Sequence, residues 1–137
     1  MYRQRALTIP ADTSFNDAAS LKFEVPAGQI KLVTAEFPAG VHDYAFVQLL
    51  QGNTPIVPDE DQQGITGEDV TLQLPVIHDL LPGKNELTIK GWSPGSVNAH
   101  TIRVGVAVYS LEEKSREEAY LSEMARDIDA IAKLLGV

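Results

Sequence analysis

Residues 100–117, HTIRVGVAVYSLEEKSRE, hold the change of pattern that decides the fold. Ile102, Val104, Val106 and Val108 alternate with Arg103 and Gly105. A period of two is that of a strand with one face buried. From Ser110 the alternation stops, charged residues come in clusters, and no Pro follows as far as Val137. The stretch reads as the last strand of a β domain handing over to a single helix.

Upstream of that strand the same grammar recurs. Tyr2 to Ile9 is β-prone and stops at Pro10; Leu21, Phe23 and Val25 alternate with Lys22 and Glu24; Ile30 to Phe37 follows the turn residues Pro26-Ala27-Gly28 at once. The spacing of these last two runs suggests a hairpin. Tyr44 to Leu50 is apolar on both phases, which suits a central strand covered on both sides. Pro55 to Pro58 is demoted to an edge by its prolines. Val70 to Leu74, Leu87 to Ile89 and Ile102 to Val108 complete the set, and 59–67 and 93–98 read as loops. About eight short strands, with turn signals roughly 8–12 residues apart, indicate an antiparallel β-sandwich or jelly roll. The expected organisation is a β-sandwich domain over residues 1–109 and a C-terminal amphipathic helix over 110–137.

Ser110 suits a helix N-cap, and Glu113 three residues later completes a capping-box pattern. Glu112, Glu113, Glu117 and Glu118 sit early and Lys133 late, as the helix dipole favours. Leu121, Met124, Ile128, Ile131 and Leu135 are spaced 3, 4, 3, 4, a heptad seam. Extended backwards the seam meets Glu117 and Lys114 and fails, so its apolar part covers only about two heptads. A helix of that kind needs a partner: its own β domain, further copies of itself, or another protein. Ile at both seam positions leans towards trimers over dimers.

Composition narrows the function classes. The chain of 137 residues has no cysteine, which removes disulfide frameworks, thiolate nucleophiles and Cys-type zinc sites. The formal charge is −8, with 7 basic and 12 acidic residues in 1–110 and 4 and 7 in 111–137. Neither part carries the clustered Lys and Arg that a grip on nucleic-acid phosphates requires. Met1 to Leu7 lacks the apolar core of a signal peptide, and no apolar run approaches the roughly 18 residues of a membrane span. A protein without nucleic-acid or membrane partners is expected.

Candidate chemistry is sparse. Asp59-Glu60-Asp61-Gln62-Gln63-Gly64 matches the start of an EF-hand loop, but the twelfth position, which should be a carboxylate, is Val70. His42 and His78 each precede an Asp, and His100 is in phase with Ile102; no two of the three are close in sequence. Trp92 follows Gly91 at a strand end and falls opposite Leu87 and Ile89, outside the core face. It reads as a packing anchor or, on the rival reading, as a stacking platform for a sugar ring. No nucleophile motif, P-loop or paired-carboxylate arrangement is present, so no catalytic, cofactor or metal residue is assigned and no enzyme activity is expected.

Val25-Pro26-Ala27-Gly28, Phe37-Pro38-Ala39-Gly40, Val47 to Gly52, Ile56-Val57-Pro58, Gly64-Ile65-Thr66-Gly67, Leu81-Pro82-Gly83, Gly91-Trp92 and His100 to Val104 together resemble small all-β proteins of tailed-phage virions. The resemblance spans residues 20–108 and rests mostly on turn residues. It implies a capsid decoration or head-associated protein, assembled in the host cytoplasm as a homo-oligomer on a larger particle. The seam residues Leu121, Met124, Ile128, Ile131 and Leu135, which lie outside the resemblance, are the expected interface. The alternative is a glycan- or ligand-binding sandwich, calcium-assisted, using Trp92, Asp59 and Asp61.

Overall fold

Each alternating run becomes a strand because only that pairing buries one face while satisfying the backbone. In the computed structural model, which describes residues 1–60, 63–83, 85–110, 116 and 118–126, the strands are β1 (Tyr2–Ile9), β2 (Ala19–Val25), β3 (Gly28–Phe37), β4 (Phe46–Gln51), β5 (Thr54–Val57), β6 (Val70–Leu80), β7 (Asn85–Trp92) and β8 (His100–Ser110). They form two four-stranded antiparallel sheets, β1-β8-β3-β6 and β2-β7-β4-β5. Strand 1 pairs with 8, 2 with 7, 3 with 6 and 4 with 5. That is one long hairpin rolled up, the jelly-roll order.

The inner faces meet in one apolar core. Ile9, Ile30, Val33, Phe37, Leu49, Leu87, Ile89, Ile102 and Val106 are fully buried. Each contributes roughly 1.5–3 kcal/mol relative to exposure. At one end of the sandwich a polar bridge ties the sheets together. Gln51 on β4 donates to Asn85 Oδ1 at 3.0 Å, and its carbonyl lies 2.7 Å from His78 Nε2 on β6. Asn85 in turn donates to the Leu81 carbonyl at 2.8 Å.

The expected hairpin between 21–25 and 30–37 does not form. β2 pairs with β7, while β3 pairs with β6 and β8, in the other sheet. The reason is turn chemistry: tight hairpins need positive φ at their central residues, which Pro26 cannot adopt. Pro26-Ala27 instead carries the chain across the core. Gly28 completes the crossing at φ 149°, where an added Cβ would lie 2.1 Å from the Tyr109 carbonyl oxygen. A two-residue hairpin does close between β4 and β5, with Gly52 at φ 57° and Gln51 opposite Thr54.

β6 runs on past Leu74 through Pro75 to Leu80. Pro is tolerated there because β6 is an edge strand. β4 lies between β7 and β5, and its outer face is roofed by the β5–β6 link. Gln48, 2% exposed, donates from Nε2 to the carbonyls of Pro58 (3.3 Å) and Glu60 (3.0 Å).

Two substitutions test this account by urea unfolding. Ile89→Ala should cost about 2–5 kcal/mol. Gly28→Ala should cost at least about 2 kcal/mol, since both the clash and the φ oppose it. A neutral Gly28→Ala would contradict the tight crossing.

Candidate functional site

The strand directions sort the connections into two classes. The long loops 10–18, 38–45, 58–69 and 93–99 all lie at one end of the sandwich. The short β2–β3, β4–β5 and β6–β7 links lie at the other, with Met1 and Ser110. There the Met1 ammonium donates to the Val108 carbonyl at 2.8 Å. β8 therefore ends on the short-turn side, opposite the loop end.

The loop end is held by side-chain-to-backbone hydrogen bonds. Glu68 accepts from the amides of Gly40 (2.7 Å) and His42 (2.5 Å), which shapes the 38–45 loop. These donors, His42 first, hold its carboxyl below the usual glutamate value of 4.5. Asp12 accepts from the Gly95 amide at 2.8 Å, and Ser93 joins Thr13 through backbone hydrogen bonding at 2.8 Å. The Ser93 hydroxyl donates to the Pro10 carbonyl at 3.0 Å. Among the described residues, the non-glycine positions with positive φ are Asp12, His42, Asp43 and Asp69, all at this end. Asp adopts that region readily; for His42 the cost is of order 1 kcal/mol or more, offset by the Glu68 clamp.

Between the 38–45 and 93–99 loops lies a cleft of about 210 Å³ lined by Val41, His42, Tyr44, Val97, Asn98 and His100, among others. His42 and His100, isolated from each other in the sequence, share this cleft. Nothing in their spacing signals it, because a sheet crossing separates them. His78 lies at the opposite end, against Gln51. Among the described residues no group of three or more His, Asp or Glu is arranged to hold a metal.

Trp92 does lie on the outer face of its sheet, as its phase suggests, but it is 5% exposed. Phe15 meets it edge-on at 4.9 Å and Phe46 stacks near it at 6.1 Å. Gly64 closes over the same place, where an added Cβ would be 2.8 Å from the indole. The indole is thus packed beneath the loops and presents no open face to a sugar. Asp59 is exposed, and Asp61 lies outside the described residues.

Of the seam, Leu121 and Met124 fall on the described helix, residues 118–126, and Ile128, Ile131 and Leu135 lie outside the described residues. Every described helical residue is exposed, including Tyr120 (64%), Leu121 (53%) and Met124 (43%). Ser110 ends β8, opposite Gly28. Among the described residues no helix is long and apolar enough to cross a membrane.

Against solved structures, the chain is similar to a chain of the cyanophage Pam1 capsid asymmetric unit, with 13% identity over 77% of this chain and 81% of that one and a TM-score of 0.52. Looser likenesses are to the EclA C-terminal domain, a sugar-binding protein (12% identity, 77% and 79% covered, TM-score 0.45), and to the Yersinia pseudotuberculosis-derived mitogen (11%, 79% and 86%, TM-score 0.42). The first is a likeness of fold. No protein-family model and no curated protein sequence matches the chain.

The Glu68 clamp has a signed pH consequence. A carboxyl whose pKa is lowered by folding stabilises the protein above its ordinary value, and that contribution is lost as pH falls through the lower folded value. By NMR, Glu68 should titrate below 4.5. Glu68→Gln should lower Tm at neutral pH and converge with the wild type in acid. A Tm difference that is constant with pH would contradict the clamp.

Proposed function

We propose that this chain is a non-enzymatic structural protein of a phage virion, a capsid decoration or head-associated protein that assembles as a homo-oligomer. The observation that carries this is the helix. Residues 118–126 are exposed all round, with Tyr120, Leu121 and Met124 in water. A helix is marginal in water without a packed face, so this one needs an occupant for its apolar side.

The likeness of fold to a chain of the cyanophage Pam1 capsid asymmetric unit supports the reading. A rigid sandwich with a protruding helix suits a subunit that docks on a larger surface and meets copies of itself around a symmetry axis. The acidic charge of −8 keeps free subunits apart in solution until docking and gives no hold on nucleic acid. Assembly in the host cytoplasm follows from the virion reading, and a trimer from the seam composition.

The rival glycan- or ligand-binding reading, as built on Trp92, has lost its stacking platform to Phe15 and Phe46. Size-exclusion chromatography with light scattering on the full chain tests the main reading. The wild type should run as an oligomer, and Leu121→Asp with Met124→Asp should run as a folded monomer. A monomeric wild type at high micromolar concentration would sink self-assembly.

A further inference from the structure

The loop end of the sandwich, opposite the end at which β8 stops, carries a cleft. Its floor is the buried Val41, and its rim carries Tyr44, 57% exposed, and Val97, 88% exposed. His42, Asn98 and His100 add imidazole and amide groups. Among the described residues no Lys, Arg, Asp or Glu lines it.

Two observations set it apart from a surface dent. Both walls are fastened from behind: the 38–45 loop by Glu68 through the Gly40 and His42 amides, the 93–99 loop by Asp12 through the Gly95 amide. The second is strain: His42, a non-glycine residue, is held at φ 53° beside the Glu68 clamp. Unfavourable backbone held in place by dedicated hydrogen bonds is characteristic of binding sites.

The lining selects the chemistry. An exposed phenol ring beside an aliphatic side chain offers a flat apolar surface with a polar edge. Amide and imidazole groups both donate and accept hydrogen bonds. The absence of charged side chains gives no hold on phosphate, carboxylate or a nucleic-acid backbone. A pyranose, with an apolar ring face and a rim of hydroxyls, matches all three. The volume of 210 Å³ lies below the roughly 300–1,000 Å³ of sites for larger ligands. It accommodates one ring at a chain end.

We propose that this cleft binds the terminal sugar of an uncharged glycan, with Tyr44 as the platform and Asn98 and His100 reading hydroxyls. The site differs from the Trp92 platform considered earlier and does not depend on self-assembly.

The test is an amide-shift NMR titration of the full chain with the methyl pyranosides of glucose, galactose, mannose and N-acetylglucosamine, in the tens of millimolar. At least one sugar should shift amides of residues 40–44 and 95–100. Tyr44→Ala should weaken that binding at least about fivefold, and Asn98→Ala should weaken it as well. Both residues stand in surface loops, and unchanged far-UV circular dichroism will show that the variants fold. No shifts with any of the four sugars, shifts confined to other regions, or binding that Tyr44→Ala leaves unchanged would overturn the proposal. Leu121→Asp should leave sugar binding intact and Tyr44→Ala should leave the oligomeric state intact, so this proposal and the assembly reading fail separately.

Discussion

The hydrogen-bond ladders of β7 and β8 are what the rest of the structure depends on. β8 lies between β1 and β3, and β7 lies between β2 and β4. Two of the three ladders in each sheet therefore involve a strand from the last part of the domain. Until residues 85–110 are in place, β1 and β2 have no partner at all. Folding must close loops of up to about a hundred residues before those contacts return anything, which makes the topology slow and cooperative. The interdigitated core, the locked loops and the departure point of the helix all follow from that closure.

Much of the fold was legible because one-sided burial writes itself as alternation. Tyr2–Ile9 and the 102–108 run needed nothing more than the period of two. Sheet membership was harder. The apolar alternates of β2 and β3 face one core from opposite sides, and periodicity alone cannot tell that from a hairpin in one sheet. What distinguishes the two is the positive φ that Pro26 cannot adopt, against the hairpin that the spacing suggests. The alternation of Val70 to Leu74 shows only the first part of β6, which continues through Pro75 to Leu80 because an edge strand has no ladder on its open side to lose.

The functional sites were less legible, for a physical reason. Trp92 was assigned to the correct face of its strand, but what covers it comes from Phe15 and Gly64, on loops without periodicity. The cleft is likewise a product of loops whose shapes are set by Glu68 and Asp12 over long sequence separations. Such contacts leave no local pattern. The helix is the opposite case: its pattern is purely local, and the helical conformation of 118–126 agrees with the spacing of Leu121 and Met124.

The Met1–Val108 contact has a further consequence. It makes the eight strands nearly a closed ring, with the first and last of them side by side. In a ring, chain order carries little of the architecture. Joining the ends of the sandwich and opening the chain at one of the distal loops would preserve every ladder and both sheet orders. The same sandwich would then present its new termini beside the cleft. Which end of this protein carries an appendage is thus a matter of where the circle is cut, and the strand order leaves that choice free.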